Sequence, residues 1–530
     1  MSLKKTTLVI LSFVIVCAMV VAVPVAGSFA EPGTLTVGMA RTPATLYPGA
    51  TTALPDIALN FFIYDGLVTT VDGEIKPLLA ESWEISPDGL EYTFYLRKDV
   101  TFHSGRKFTA KDVKAHFDNW KNLPTSTKIV ALESTQVIDD YTVKCTLQYP
   151  TLVFLSMISQ TEWSYGGIPD SVAVEKFGQD YGKLPESVSG TGPYKLVSWA
   201  RDDRLILEKN PDYKWAPEPY ENRGPVKIDK LVIRTIPEGA SRSAELRTGG
   251  LDMDINLQEQ DAETFSKMKG FNVFTAPKVT ANHLGFNMER EIFHDLRVRK
   301  AIAHAINQPA LIKVVWNNYA DFAYGLWSPG IDGYTPEDEM KKYYHSYDLQ
   351  KAKQLLDEAG WKPGSDGIRQ KDGKALVLSV YIYSEIMERM MQLVQADMRN
   401  IGVDFQIRRL EYAAWRRALE DGEHDMRYID GSHSTADFSY WFISRSIPYP
   451  NHLRLKDEKV DELYNLTQQT IDPTVRTKAF QDIEKYLVGE AIVIPMPRAR
   501  WLIGMNDSVK GLTFDPIHGM HKLIDVYKEK

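Results

Sequence analysis

Apolar positions in this chain repeat at two spacings that take turns, every second residue and then every third or fourth. Tyr92, Phe94 and Leu96 alternate with Thr93 and Tyr95 behind Ser86-Pro-Asp-Gly89, a turn by composition, which predicts a hairpin. Thr109 then opens a helix whose Val113, Phe117 and Trp120 share a face. Val143, Cys145 and Leu147 read as the inward side of another strand. Leu35, Val37 and Met39 begin a strand, residues 227–236 form one more, and Gly249-Gly250 ends the helix that follows. Further on, Asp295 caps a helix with Val298, Ile302, Ala305 and Ile306 inside, leaving Arg297 and Arg299 off that stripe. The clearest helix carries Ile386, Met390, Leu393, Val394, Met398 and Ile401, stops at Gly402 and feeds the alternating strand Val403 to Ile407. Asp472-Pro473 starts another, with Val475, Phe480, Ile483 and Leu487 inward. Strand and helix signals interleave without linker or repeat, so the expected class is α/β.

Length and the amino terminus refine that class. Lys4 and Lys5 precede an apolar run from Leu8 to Val25, and Ser28-Phe-Ala30 offers the small residues a signal peptidase reads, so residues 1–30 are expected to be a signal peptide with Glu31 as mature terminus. The run is long for a signal core, which keeps an uncleaved anchor as the runner-up. Cys17 follows Val16, a context that does not suit a lipoprotein site. Removing residues 1–30 takes two lysines away and moves the formal charge from −8 to −10, a mildly acidic balance that argues against nucleic acid as partner. The remaining ~500 residues exceed what one core organises, so at least two lobes are expected. Cys145 is then the sole cysteine, no intrachain disulfide can form, and its strand context makes it a buried, inert thiol.

The chain holds no GxSxG, HExxH, Walker loop or CxxC, so nothing in it organises an activated nucleophile or a bound metal. His518 and His521 read as a surface pair lacking further ligands. Asp252 and Asp254 share one side of a strand and read as a solvated strand end. Gly190-x-Gly192 lacks a third glycine, and Pro193 blocks a helix start, which disfavours a phosphate loop. With 70 acidic residues, scattered carboxylate pairs are unavoidable, so they do not argue for a glycosidase; an exported hydrolase stays only as a rival class.

Four blocks, in order, carry a resemblance. They are Leu79-Ala-Glu-Ser-Trp83 through Phe108-Thr-Ala-Lys-Asp-Val113; Gly190-Thr-Gly-Pro-Tyr194 with Asn210-Pro-Asp-Tyr213; Phe293-His-Asp-Leu-Arg-Val-Arg-Lys-Ala-Ile-Ala-His-Ala-Ile306; and Tyr347-Asp-Leu-Gln-Lys-Ala through Ala359-Gly-Trp361. Together they resemble the family 5 extracellular solute-binding proteins, which deliver peptides, nickel or oligosaccharides to ABC importers. The resemblance implies a two-lobed α/β fold of periplasmic-binding-protein type with the ligand cleft between lobes. It divides the chain into lobe I (31–78 and 189–280), an extra lobe I subdomain (79–188), lobe II (281–503) and a return to lobe I (504–530). It implies capture of a peptide by hinge closure, no catalysis, no cofactor and no metal. It also implies an extracytoplasmic monomer whose partner is the permease in the membrane.

Site residues follow from the same resemblance. Ala436-Asp437-Phe438 resembles the step whose aspartate receives a peptide's amino terminus, although Asp437 also reads as a loop cap. The family's upstream tryptophan and downstream proline are missing here, and no arginine occupies the upstream positions that hold a peptide carboxylate in some members. Nickel is disfavoured, because Ile429 stands where nickel binders have a cleft histidine while His433 lies elsewhere in the loop. Thr45-Leu-Tyr47-Pro48 resembles the way into the cleft, and Asn287 closes the opening strand of lobe II. An oligosaccharide remains open on the 11 tryptophans and 26 tyrosines, of which Trp163, Tyr165, Trp327 and Trp441, in loop-like contexts, are the expected exposed platforms, with Tyr440 beside Trp441 a further ligand-binding candidate.

Overall fold

A computed structural model describes residues 33–529 except 52–53, 72–73, 130, 152, 161–164, 218–219, 330, 332, 430, 432–438 and 514–522. The expected signal peptide, Trp163, His433, Asp437, His518 and His521 therefore lie outside the described residues.

Two large sheets organise two lobes. The first has eight strands, in the order Phe271–Pro277, Arg498–Asn506, Met253–Asp254, Thr34–Met39, Lys230–Thr235, Arg204–Lys209 and Tyr194–Ala200, with Ala320–Asp321 pairing onto Arg498–Asn506. The second has five: Asp404–Arg409, Val377–Ile382, Met426–Ile429, His283–Phe286 and Val493–Pro495. Each lobe has its own core, Leu35, Val37, Leu231 and Ile233 belonging to one and Leu284, Val298, Ile302, Val380 and Met391 to the other.

The period-two segments form strands as expected. Gly89 takes φ +72° and donates its N–H to Ser86 O at 2.8 Å, closing the hairpin between Ala80–Ile85 and Glu91–Leu96. Tyr92 then stands opposite Cys145 and Phe94 opposite Val143 in a separate four-stranded sheet. That sheet shares the first lobe's core, and burial pushes the Cys145 thiol up to about 12, which leaves it inert. The helices start where their caps sit. Asp295 accepts from Arg297 N ahead of Leu296–His304, Thr109 and Asp112 form a capping box ahead of Ala110–Trp120, and Asp472 caps Pro473–Gly489.

Four readings need correction. Val475 is exposed, because it lies in the first turn of its helix, ahead of the inward Phe480, Ile483 and Leu487. Arg299 is buried, its guanidinium donating to the carbonyls of Phe293 and Glu490 and so tying the helix start to a loop 191 residues away. Asp252 and Asp254 are not solvated: Asp252 pairs with Lys528 at 2.8 Å, and Asp254, fully buried, pairs with Arg242 at 3.0 Å. The return strand begins at Arg498 rather than Gly504, pairing Arg500 with Pro277 and Met505 with Asn272.

Gly190 and Gly192 show what their motif does here. A Cβ on Gly190 would lie 2.1 Å from Ile63 O, and one on Gly192 2.6 Å from the Ile63 carbonyl carbon. The two glycines let the backbone press against the helix Leu54–Ile63, and Gly192 N donates to Ile63 O at 2.8 Å.

Candidate ligand cleft

Two short crossovers join the sheets, one between Pro277 and His283 and one between Pro495 and Arg498, besides the longer excursion from the second sheet to Ala320–Asp321 and back. The two crossovers are bonded together. Met496 N donates to Asn282 O at 3.0 Å, and Asn282 Nδ2 donates to Pro497 O at 3.0 Å. On the second sheet, Ile429 pairs with His283 and His283 with Pro495, so both crossovers leave from one edge. Val377–Ile382, Asp404–Arg409 and Met426–Ile429 run parallel and end at that same edge. In open α/β sheets the crevice beyond the carboxyl ends of the strands is where ligands bind.

Arg427, in the short strand ending there, is buried against this edge. Its guanidinium carbon lies 5.0 Å from the Trp441 ring centroid, and Nη1 donates to Pro450 O at 3.3 Å. Burial, with the Arg427 charge second, holds His283 down to about 3, so that imidazole is neutral at any physiological pH. Trp441 and Tyr440 are half-buried, their ring centroids 6.4 Å apart, and His283 stands 5.6 Å from the neighbouring Phe442. Arg427 is enclosed behind the aromatic face, so the half-buried Trp441 and Tyr440 are the stacking surface offered here. The sequence carried a signal for Arg427, a charge inside the otherwise uncharged run Met426 to Ile429, which the motif comparison passed over.

Trp327 is not an exposed platform. It is 1% exposed, its N–H donates to Glu484 Oε1 at 2.8 Å, and its carbonyl accepts from Arg498 Nη1 at 2.7 Å. Ser328 adds to the clamp, donating from Oγ to Thr280 O at 2.9 Å on the first crossover while Thr280 N donates back at 3.2 Å. Tyr165 is likewise buried, edge-on to Trp120 at 6.2 Å. Its carbonyl, which can only accept, receives the Nε2–H of His116 at 3.1 Å. Tyr47 is nearly buried. Its backbone abuts Gly182, where a Cβ would lie 2.6 Å from Tyr47 N, its ring stands edge-on to Tyr181 at 5.0 Å, and its hydroxyl accepts from Asn119 Nδ2. Burial pushes its pKa up to about 12. Asn287 lies at the far end of strand His283–Phe286, four residues or ~13 Å from the hinge-facing edge. There its Nδ2 donates to Gly422 O at 3.2 Å and His424 O at 3.0 Å, so it staples a loop and does not face the cleft.

The structure thus brings Tyr440, Trp441 and Trp327 into one second-lobe cluster, while Tyr47 and Tyr165 belong to the first lobe's core. Two cavities of ~520 and ~490 Å³ open beside the helix Pro473–Gly489, sharing Tyr486 and Glu490, and include no residue of the hinge-facing edge. Among the described residues no three His, Cys, Asp or Glu side chains group closely enough to hold a metal ion.

A family model described as bacterial extracellular solute-binding proteins, family 5, middle, matches residues 74–448. Similar curated proteins include the glutathione-binding protein GsiB of Salmonella typhimurium, 28% identical over 503 residues that cover 91% of this chain and 92% of that protein. GsiB of Escherichia coli K12 is 27% identical over the same span, with the same coverage. Among solved structures, the periplasmic binding protein DppA of Helicobacter pylori, in complex with peptide STSA, superposes with a TM-score of 0.74 at 27% identity, covering 94% of this chain and 98% of that one. NikA of Brucella suis, in complex with Fe(III)-EDTA, has the same fold at a TM-score of 0.81 and 24% identity, covering 94% and 100%.

Proposed function

Because the chain belongs to the family 5 extracellular solute-binding proteins, we propose that it captures a short peptide between its lobes and presents it, closed, to the permease of an ABC importer. The observation that carries the ligand class is the whole-length similarity to proteins described as binding glutathione or the peptide STSA. The joined crossovers act as the hinge, and ligand contacts from both lobes favour the closed arrangement. Shifting a mostly open population to mostly closed takes a preference of about 10⁴, or ~5.5 kcal/mol, for the closed form. That amount calls for contacts on both lobes. On the second, the half-buried Trp441 and Tyr440 supply aromatic surface, and Asp437 receives the peptide's ammonium group.

Residues 1–30 act as the export signal, the mature chain works outside the cytoplasmic membrane as a monomer, and peptide leaves the cleft chemically unchanged. Isothermal calorimetry with short peptides, followed by chromatography of the mixture, tests this reading. Saturable binding with the peptide recovered intact supports it, and cleavage products overturn it.

A further inference from the structure

The helix Val153–Met157 of the first lobe divides its side chains between two clusters. Phe154, Leu155 and Ile158 pack into that lobe's core, whereas Val153 and Met157, one turn apart on the other face, close on Phe480. Phe480 belongs to the helix Pro473–Gly489, whose Ile483 and Leu487 pack with Ile429 and Val493 of the second sheet. The three side chains are therefore a small apolar cluster with one half from each lobe, and Phe480 is fully buried in it. From its own side the ring is bedded by Gly333, where a Cβ would lie 2.4 Å from Phe480 Cβ, and by Arg476, whose guanidinium carbon lies 5.0 Å from the ring centroid.

A second touch lies beside the first. A Cβ on Gly89, at the tip of the first lobe's hairpin, would lie 2.9 Å from Pro150 Cβ and 3.1 Å from Ile471 Cγ2. Pro150 leads into the helix Val153–Met157, and Ile471 directly precedes the Asp472 cap of the Phe480 helix, so the same two segments meet at both points. None of these residues lies in the crossovers or on the hinge-facing edge. Each half moves with its own lobe, so opening the cleft returns Phe480, Val153 and Met157 to water. Keeping one phenylalanine ring out of water is worth roughly tenfold or more in favour of the closed form.

We infer that Phe480, Val153 and Met157 form a latch that populates the closed arrangement before ligand arrives, and so set affinity for every ligand without touching one. The inference rests on the hinge in the reading above. Small-angle scattering of the purified, ligand-free protein, with urea unfolding alongside, tests it on four proteins. They are wild type, Phe480→Ala, the double variant Val153→Ala with Met157→Ala, and Met157→Arg. Both truncations should enlarge the radius of gyration, because each removes one lobe's half of the latch. Met157→Arg places a charge where closing would bury it, so it should expand the protein furthest and keep the wild-type urea midpoint. The latch is overturned if Met157→Arg expands while either truncation keeps the wild-type radius, or if wild type is already as expanded as Met157→Arg. A Met157→Arg protein that keeps the wild-type radius overturns the hinge reading if its urea midpoint falls, and the latch if it does not.

Discussion

Asn282 and Met496 stand on different passages of the chain between the lobes, 214 residues apart, and are joined by a 3.0 Å hydrogen bond from Met496 N to Asn282 O. Asn282 Nδ2 also donates to Pro497 O at 3.0 Å. The two crossovers are therefore tied to each other. Asn282→Ala leaves the Pro497 carbonyl without that donor, and should lower unfolding free energy by about 1–2 kcal/mol. Urea unfolding measures this as a lower midpoint, and an unchanged midpoint would separate the two crossovers energetically.

Glu484 is the buried acid that holds the Trp327 segment beside the hinge. Burial raises its pKa to about 7 against the opposing Thr335 side chain, the N–H groups of Trp327 and Leu326, and the Arg498 charge. A raised acid contributes stability that is complete below its unfolded value near 4.5 and is lost as pH rises through about 7. Glu484→Gln has no proton to lose. Relative to wild type the variant should therefore gain about 1–3 kcal/mol between pH 4.5 and 8.5, read from urea midpoints at both pH values. Parallel pH profiles would refute the assignment.

Histidine works in the opposite direction. Burial holds His103 and His116 down to about 4, and His283 and His424 to about 3. Their depressed values give stability that is complete above the unfolded pKa near 6.5 and is lost as pH falls toward 4. Summed over four rings, unfolding free energy should fall by several kcal/mol from pH 7 to 5, outweighing Glu484. Denaturation curves that coincide at those two pH values would contradict the buried-neutral assignment.

Arg242 and Asp254 are both buried, and the guanidinium also donates to the carbonyls of Ile236, Pro237 and Asn256. Arg242→Ala leaves Asp254 without its cation and should cost about 3–5 kcal/mol, whereas removing both charges as Arg242→Met with Asp254→Leu should cost less. Thermal unfolding of the two variants compares these costs. A double variant no more stable than the single one would place the loss in the carbonyl contacts instead.

Helices and hairpins were legible in the sequence because their causes are local. Asp295, Thr109 and Asp472 cap within three residues, and the turn at Gly89 needs only its own φ. Burial of loop residues was not legible. Trp327 reads as an exposed loop aromatic until Glu484 and Arg498, more than 150 residues away, close on its peptide groups. The polar tracts around Asp252 and Arg299 misled for the same reason, since their partners Lys528 and the Glu490 carbonyl are distant in sequence. The family's motifs gave the fold, while Arg427, which none of the motifs quoted above contains, needed the sheet register to show that it lies beside Tyr381 and Gly285.

Asp437 carries the proposed contact to the peptide's amino terminus. Asp437→Asn should weaken binding of an unmodified peptide by about 2–5 kcal/mol, and acetylating the peptide should cost wild type a similar amount. Calorimetry on both pairs checks this, and a variant binding as tightly as wild type would remove the anchor.

The central claim is that the cleft holds a peptide. Mass spectrometry of the small molecules released when the purified protein is denatured tests it most directly. Fragment ladders spaced by amino-acid residue masses are the expected result, and a cargo of hexose-spaced oligosaccharides or a metal chelate would contradict the claim.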